Sequence, residues 1–280
     1  MALTDRFSTL FMATIAEQSA IVKIIFFFLT WLIVWLPIAI PLTIVLQWRP
    51  PQPLSVGQKL PLVLSLYVLA PLVLWVFSTA EGTTFAAYGF AINPSSLLSL
   101  CIGLGIGVLG VGLLFSLERW ANWIELKLAN QSQFFAALLP TLAIGLVVSV
   151  IEELVFRGFL LNQLQQEYAL WIAAASSSLI FALLHLVWEG SEIVPQLPGL
   201  WLMGIILVIA RWADGGSLGL ACGLHAGWIW GMASLDAAQL IHYTDRAPEW
   251  VTGLKKQPLA GGMGLLLLGV TGCALWGLGR

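Results

Sequence analysis

Two adjacent glutamates and an arginine stand in the middle of an apolar run that reads Val148-Ser149-Val150-Ile151-Glu152-Glu153-Leu154-Val155-Phe156-Arg157-Gly158. An ionisable side chain at the centre of a membrane helix costs about 2.5–3.5 kcal/mol on insertion scales, so three of them need a compensating arrangement. Part of it is local. Glu153 and Arg157 are four residues apart with the glutamate first, the favourable order for a helical ion pair. Glu152 points about 100° away from Glu153 and has Phe156 and Val148 as its own i+4 and i−4 neighbours, so it is left over for another task. The chain has three histidines, and two of them, His185 and His225, also lie inside apolar stretches, whereas His242 sits in a polar loop. Two imidazoles and a carboxylate at one depth match a His₂Glu metal set, or a glutamate base with histidine helpers. On the residues alone two plainer readings stand beside these: a buried packing network, or a helix that ends early and leaves its charges in water.

The rest of the chain says what must position these groups. Of 280 residues, 59% are hydrophobic and 9% charged, far below the roughly 25% charged content of soluble domains. Such a composition cannot cover a soluble globule and excludes disorder. It predicts an all-α, polytopic transmembrane helix bundle and so an integral multi-pass membrane protein in contact with the lipid bilayer. A net charge of −2 without a basic patch argues against a nucleic-acid partner. Cys101, Cys222 and Cys273 all lie in apolar runs without ligand spacing and read as small hydrophobes. A helix needs about 20 apolar residues to cross the hydrocarbon core. Eight stretches qualify, at 21–46, 60–78, 97–116, 134–164, 168–188, 200–212, 218–235 and 259–278, the sixth being short. The run 119–133, with Trp120 and Trp123 among charges, predicts an interfacial amphipathic helix. Lys and Arg number seven on the loops opposite the termini (Arg49, Lys59, Arg119, Lys127, Arg246, Lys255, Lys256) and four on the termini side (Arg6, Lys23, Arg211, Arg280). The positive-inside rule therefore places the termini outside. From the turn near Gln165, Glu152 lies about 20 Å deep, His185 about 28 Å, and His225 about 15 Å from the same face, so the three can converge once helices tilt.

These residues resemble the signature motifs of the CAAX-protease and bacteriocin-processing (Abi) family of intramembrane endopeptidases, related to the type II CAAX prenyl endopeptidases. The motifs are Glu152-Glu153-x-x-x-Arg157, Phe181-x-x-x-His185 and His225, in that order on successive hydrophobic segments. The resemblance implies a catalytic core at 134–235, preceded by N-terminal helices and the interfacial helix over 1–133 and followed by a polar loop and last span over 236–280. It implies peptide-bond hydrolysis of a membrane-protein or peptide substrate. Glu152 would activate the attacking water, His185 would help hold that water, and His225 would stabilise the oxyanion. Glu153 and Arg157 would be the structural pair, with Phe181 supporting the motif. The same three residues, Glu152, His185 and His225, are the candidate ligands if the water is bound to a divalent metal such as zinc. One departure stands out: the family often carries Asn or Asp four residues after the last histidine, and that position here is Ile229. Trp228, Trp230 and Ser178 are candidate donors in its place. Ile229 also motivates an alternative, a catalytically silent scaffold or chaperone that keeps the fold. A transporter with a proton relay is a third reading, against which stands the absence of repeat symmetry.

Overall fold

In the computed structural model, residues 18–49, 52 and 54–279 are described. The apolar stretches form helices: α1 Ala20–Val45, α2 Val56–Ala80, α3 Pro94–Trp120, α4 Gln131–Glu153, α5 Leu161–Gln165, α6 Leu170–Glu189, α7 Leu197–Ala213, α8 Gly219–Ala237 and α9 Gly262–Leu278. A seven-residue π-helical segment, Leu154–Leu160, joins α4 to α5 without a break, so these three pieces make the fourth of eight membrane-scale rods. Five helical segments are long and apolar enough to cross a membrane, namely Ala20–Val45, Gly57–Ala80, Pro94–Trp120, Leu128–Gln165 and the α6–α7 run Leu170–Ala213; Gly262–Leu278 is a shorter apolar helix. The all-α, polytopic bundle expected from composition is therefore the fold. Arg6 and Arg280 of the charge count lie outside the described residues.

Two contacts fix the rods that carry the glutamates and the last histidine. Along α8, Gly219, Gly223, Gly227 and Gly231 recur every fourth residue and so form one small-residue stripe. A Cβ on Gly223 would collide with the carbonyl of Leu100, and one on Gly103 would collide with the carbonyl of Leu220. The backbones of α3 and α8 therefore touch, running parallel. On its other side α8 runs antiparallel to α4: Trp230 Nε1 donates to the Leu138 carbonyl at 2.8 Å, Ser234 meets Thr141 hydroxyl to hydroxyl at 2.7 Å, and a Cβ on Gly145 would lie 3.4 Å from Ile229. The third and seventh rods are thus parallel and the fourth and seventh antiparallel, as rods that alternate in direction along the chain require.

The expected interfacial helix over 119–133 is not formed. Helix α3 continues to Trp120, and a short strand β1, Ile124–Leu126, pairs antiparallel with β2, Ile241–Tyr243, in the register Ile124–Tyr243, Glu125–His242, Leu126–Ile241. A single 3₁₀ turn, Leu128–Asn130, then leads into α4. The strand wins because the backbone of 124–126 finds partners on a segment more than 100 residues away, and a local amphipathic pattern cannot register that alternative. His242 is exposed on β2, as a solvated loop histidine should be. At the end of the bundle where α1 begins, Lys23 and Glu81 form a buried ion pair at 3.2 Å, and Gln163 Nε2 donates to both Glu81 oxygens. This ties α1, the end of α2 and α5 together beneath the π segment.

Candidate active site

The chemistry-bearing residues gather where the fourth rod changes its winding. Glu152 and Glu153 are the last residues of α4, and Arg157 lies within the π segment that follows. Side chains from two other helices bind carbonyls of this segment. Ser177 Oγ of α6 donates to the Phe156 carbonyl at 2.9 Å, and Arg211 Nη1 of α7 donates to the Arg157 carbonyl. Arg211 also reaches Asn162 Oδ1 at 2.8 Å and, through Nε, the Gly216 carbonyl at 3.0 Å. Foreign donors attached to a helix carbonyl ladder are a recognised cause of local rewinding, and single π turns concentrate at functional sites.

The expected ion pair is present and wholly buried. Arg157 Nη1 donates to Glu153 Oε1 at 2.9 Å, with both side chains inaccessible. Its guanidinium carbon also lies 4.4 Å from the centroid of Phe181, over the ring. Phe181 is the hub of the cluster. It meets Phe156 edge-on at 5.2 Å, His185 at 4.8 Å and His225 at 6.0 Å between centroids. A cation over a ring face and imidazoles against the same ring explain why a bulky aromatic occupies this position.

Glu153 does more than neutralise Arg157. The same Oε1 accepts from His225 Nδ1 at 2.9 Å. A carboxylate acceptor on Nδ1 requires the proton to be there, which leaves Nε2 as the outward nitrogen. That nitrogen lies 3.7 Å from Glu152 Oε2, too long for a good direct hydrogen bond and short enough for one water to touch both. His185 follows the same rule with a backbone acceptor, its Nδ1 facing the Phe181 carbonyl at 2.9 Å. It is half-buried and stacks on Phe181 rather than bonding to either glutamate. Glu152, Glu153, Arg157, Phe181 and His225 are therefore brought into direct contact, and His185 joins them through Phe181.

Among the described residues, no group of three or more His, Cys, Asp or Glu side chains is drawn together closely enough to hold a metal ion. Glu152 and His225 supply two facing donor atoms, and as placed the cluster offers no closed ligand set.

Reading the motifs alone missed two groups. Tyr67 of α2 donates its phenolic hydrogen to Glu152 Oε1, so the glutamate without a helical neighbour is not unpartnered. Arg211, counted in sequence as a loop charge, is a buried clamp on the π segment. Neither has a local signal, since both act across long sequence separations. The donor candidates for the missing polar residue also separate. Trp230 is committed to the Leu138 carbonyl, and Ser178 is packed against Gly204 of α7, whose added Cβ would strike it. Trp228 is buried with no acceptor for its indole N–H among the described residues. Ile229 itself lies against Gly145, two turns of α4 before Glu152.

A multi-pass helical bundle that buries a glutamate pair, an arginine and oriented imidazoles inside its membrane-spanning rods has the makings of an intramembrane hydrolase. Residues 132–231, just over a third of the chain, match the family model described as Rce1-like, type II CAAX prenyl endopeptidase. The match is to the family that the motifs resemble, and the matched segment contains all three motifs. No curated protein and no solved structure matches the chain.

Proposed function

We propose that this protein is an intramembrane endopeptidase in which Glu152 activates the attacking water. The observation that carries the reading is the facing pair of Glu152 Oε2 and His225 Nε2 at 3.7 Å, with the imidazole oriented from behind by the buried Glu153–Arg157 pair. A water held between these atoms is hydrogen-bonded to a carboxylate that can accept its proton. As that water attacks a peptide carbonyl, the proton moves to Glu152 and negative charge grows on the carbonyl oxygen. With Nδ1 protonated, His225 presents a bare Nε2 that accepts a hydrogen from the water, and His185 and His225 answer the growing charge only once an Nε2 carries a proton as well. Glu152 then returns the proton to the departing amine nitrogen, which restores the carboxylate. The family match supports a peptide or membrane-protein substrate, and a prenylated C-terminal segment is the class its description names.

The test is cleavage of an internally quenched, prenylated peptide by the full chain in lipid, with Glu152→Gln beside it, together with a comparison of new protein N-termini in host membranes. Cleavage by wild type and none by equally inserted Glu152→Gln is the expected result. Undiminished cleavage by the variant refutes the assignment. A second reading, the silent scaffold, is favoured by one observation: Ile229 offers no donor and is packed against Gly145. It stands if neither wild type nor Ile229→Asn cleaves any peptide.

A further inference from the structure

The residue that touches Glu152 most directly comes from neither the motifs nor the matched segment. Tyr67 lies on α2, 85 residues before the glutamate, and its phenol donates to Glu152 Oε1. The contact is built rather than incidental, because the stretch of α2 that carries Tyr67 is pinned from α1. Trp31 Nε1 donates to the carbonyl of Leu66, the residue beside it, at 2.8 Å, and the Trp31 ring lies 6.5 Å from the Tyr67 ring. One turn of α1 further on, Trp35 Nε1 donates to Ser65 Oγ at 2.9 Å. Two indoles thus anchor the residues immediately before Tyr67, and the ring has a fixed neighbour to rest against.

The two carboxylate oxygens of Glu152 are consequently unlike. Oε1 is occupied by the phenol, and Oε2 faces His225 Nε2. We infer that Tyr67 is a positioning residue of the proposed endopeptidase site, holding Oε1 so that Oε2 is the oxygen that exchanges a proton with water and with the leaving amine. The inference rests on the endopeptidase reading for its catalytic consequence, although the pairing itself does not. The proton balance is simple: one proton arrives on Oε2 from water and leaves from Oε2 to the amine, while the phenolic proton stays on Tyr67 throughout. Without the phenol the carboxylate is free to turn about its last bond, and the reacting oxygen spends less of its time aimed at the water. Such a residue acts on Glu152 from outside the matched segment, which supplies His225 to Oε2 and leaves Oε1 to Tyr67.

Tyr67→Phe in the full chain isolates the hydroxyl, because it keeps the ring that packs on Trp31. Two readouts are compared. In the first, kcat on the prenylated peptide falls about 10- to 100-fold with KM unchanged and the protein still fully folded at the assay temperature, as expected when the reacting oxygen is less often aimed at the water. In the second, which needs no substrate, the infrared carboxylate band that disappears in Glu152→Gln is displaced in Tyr67→Phe. A merely structural role for the ring moves neither, since the ring remains. An unmoved band overturns the pairing, and a moved band with unchanged kcat overturns its catalytic role. If wild type cleaves nothing, the endopeptidase reading and with it the catalytic role fail, and the band still decides whether Tyr67 holds Glu152.

Discussion

Replacing Arg157 by methionine removes a charge from the most enclosed part of the molecule while keeping most of the side-chain volume. Glu153 would then be a buried carboxylate whose only remaining donor is His225 Nδ1, with its strongest partner, 2.9 Å away, gone. Breaking one side of a buried pair costs about 3–5 kcal/mol because the surviving charge stays desolvated. Loss of the cation from the face of Phe181, 4.4 Å away, adds about 0.5–2 kcal/mol. Together these approach the whole stability of a marginal fold. Glu153→Gln alone is expected to cost a similar amount by stranding Arg157. The double variant is different. It removes both charges, and the glutamine carbonyl can still accept from His225 Nδ1. Its cost should therefore fall short of the sum of the singles by at least about 2 kcal/mol, a coupling well outside the additivity of independent sites. Reversible unfolding in mixed lipid–detergent micelles, followed by circular dichroism, measures all four corners of the cycle. Strictly additive losses would refute the claim that mutual pairing is what makes these two charges tolerable in the fourth rod.

Two other expectations concern the fold and the proposed general base. Glu152→Gln should insert and unfold as wild type does, because its amide oxygen can still accept from Tyr67, so any loss of cleavage is chemical rather than structural; the same unfolding titration checks this. Gly223→Ala drives a Cβ into the Leu100 carbonyl and should lower the yield of folded protein sharply, whereas Gly112→Ala, with nothing within 4 Å of the added atom, should be neutral or stabilise the helix by about 0.5–1 kcal/mol. Comparing thermal midpoints of the two variants checks the claim that the α3–α8 backbone contact, and not glycine as such, is required.

What could be read in the chain and what could not follow a physical division. The rods are legible because the requirement to hide backbone polar groups from lipid acts on every stretch of about 20 residues independently. The Glu153–Arg157 pair is legible for the same reason, since i,i+4 contact is a property of one helix. The segment 119–133 reads locally as an interfacial helix and instead carries β1, because its hydrogen bonds are satisfied by the distant strand β2.

The amino-acid sequence by itself determined a membrane bundle of about eight helical rods, an ion pair inside the fourth, and a glutamate and two histidines deep enough to meet. Tertiary structure decided the rest. It gave Glu153 its second duty of orienting His225, wound Leu154–Leu160 into a π segment under Ser177 and Arg211, and set Tyr67 on Glu152. It also placed Ile229 on Gly145. Each of these joins residues from different rods, and helix periodicity says which face a residue occupies without saying which rod that face will meet. That choice is made by packing, here by a glycine stripe that lets α8 lie against α3 and so brings His225 to the glutamates.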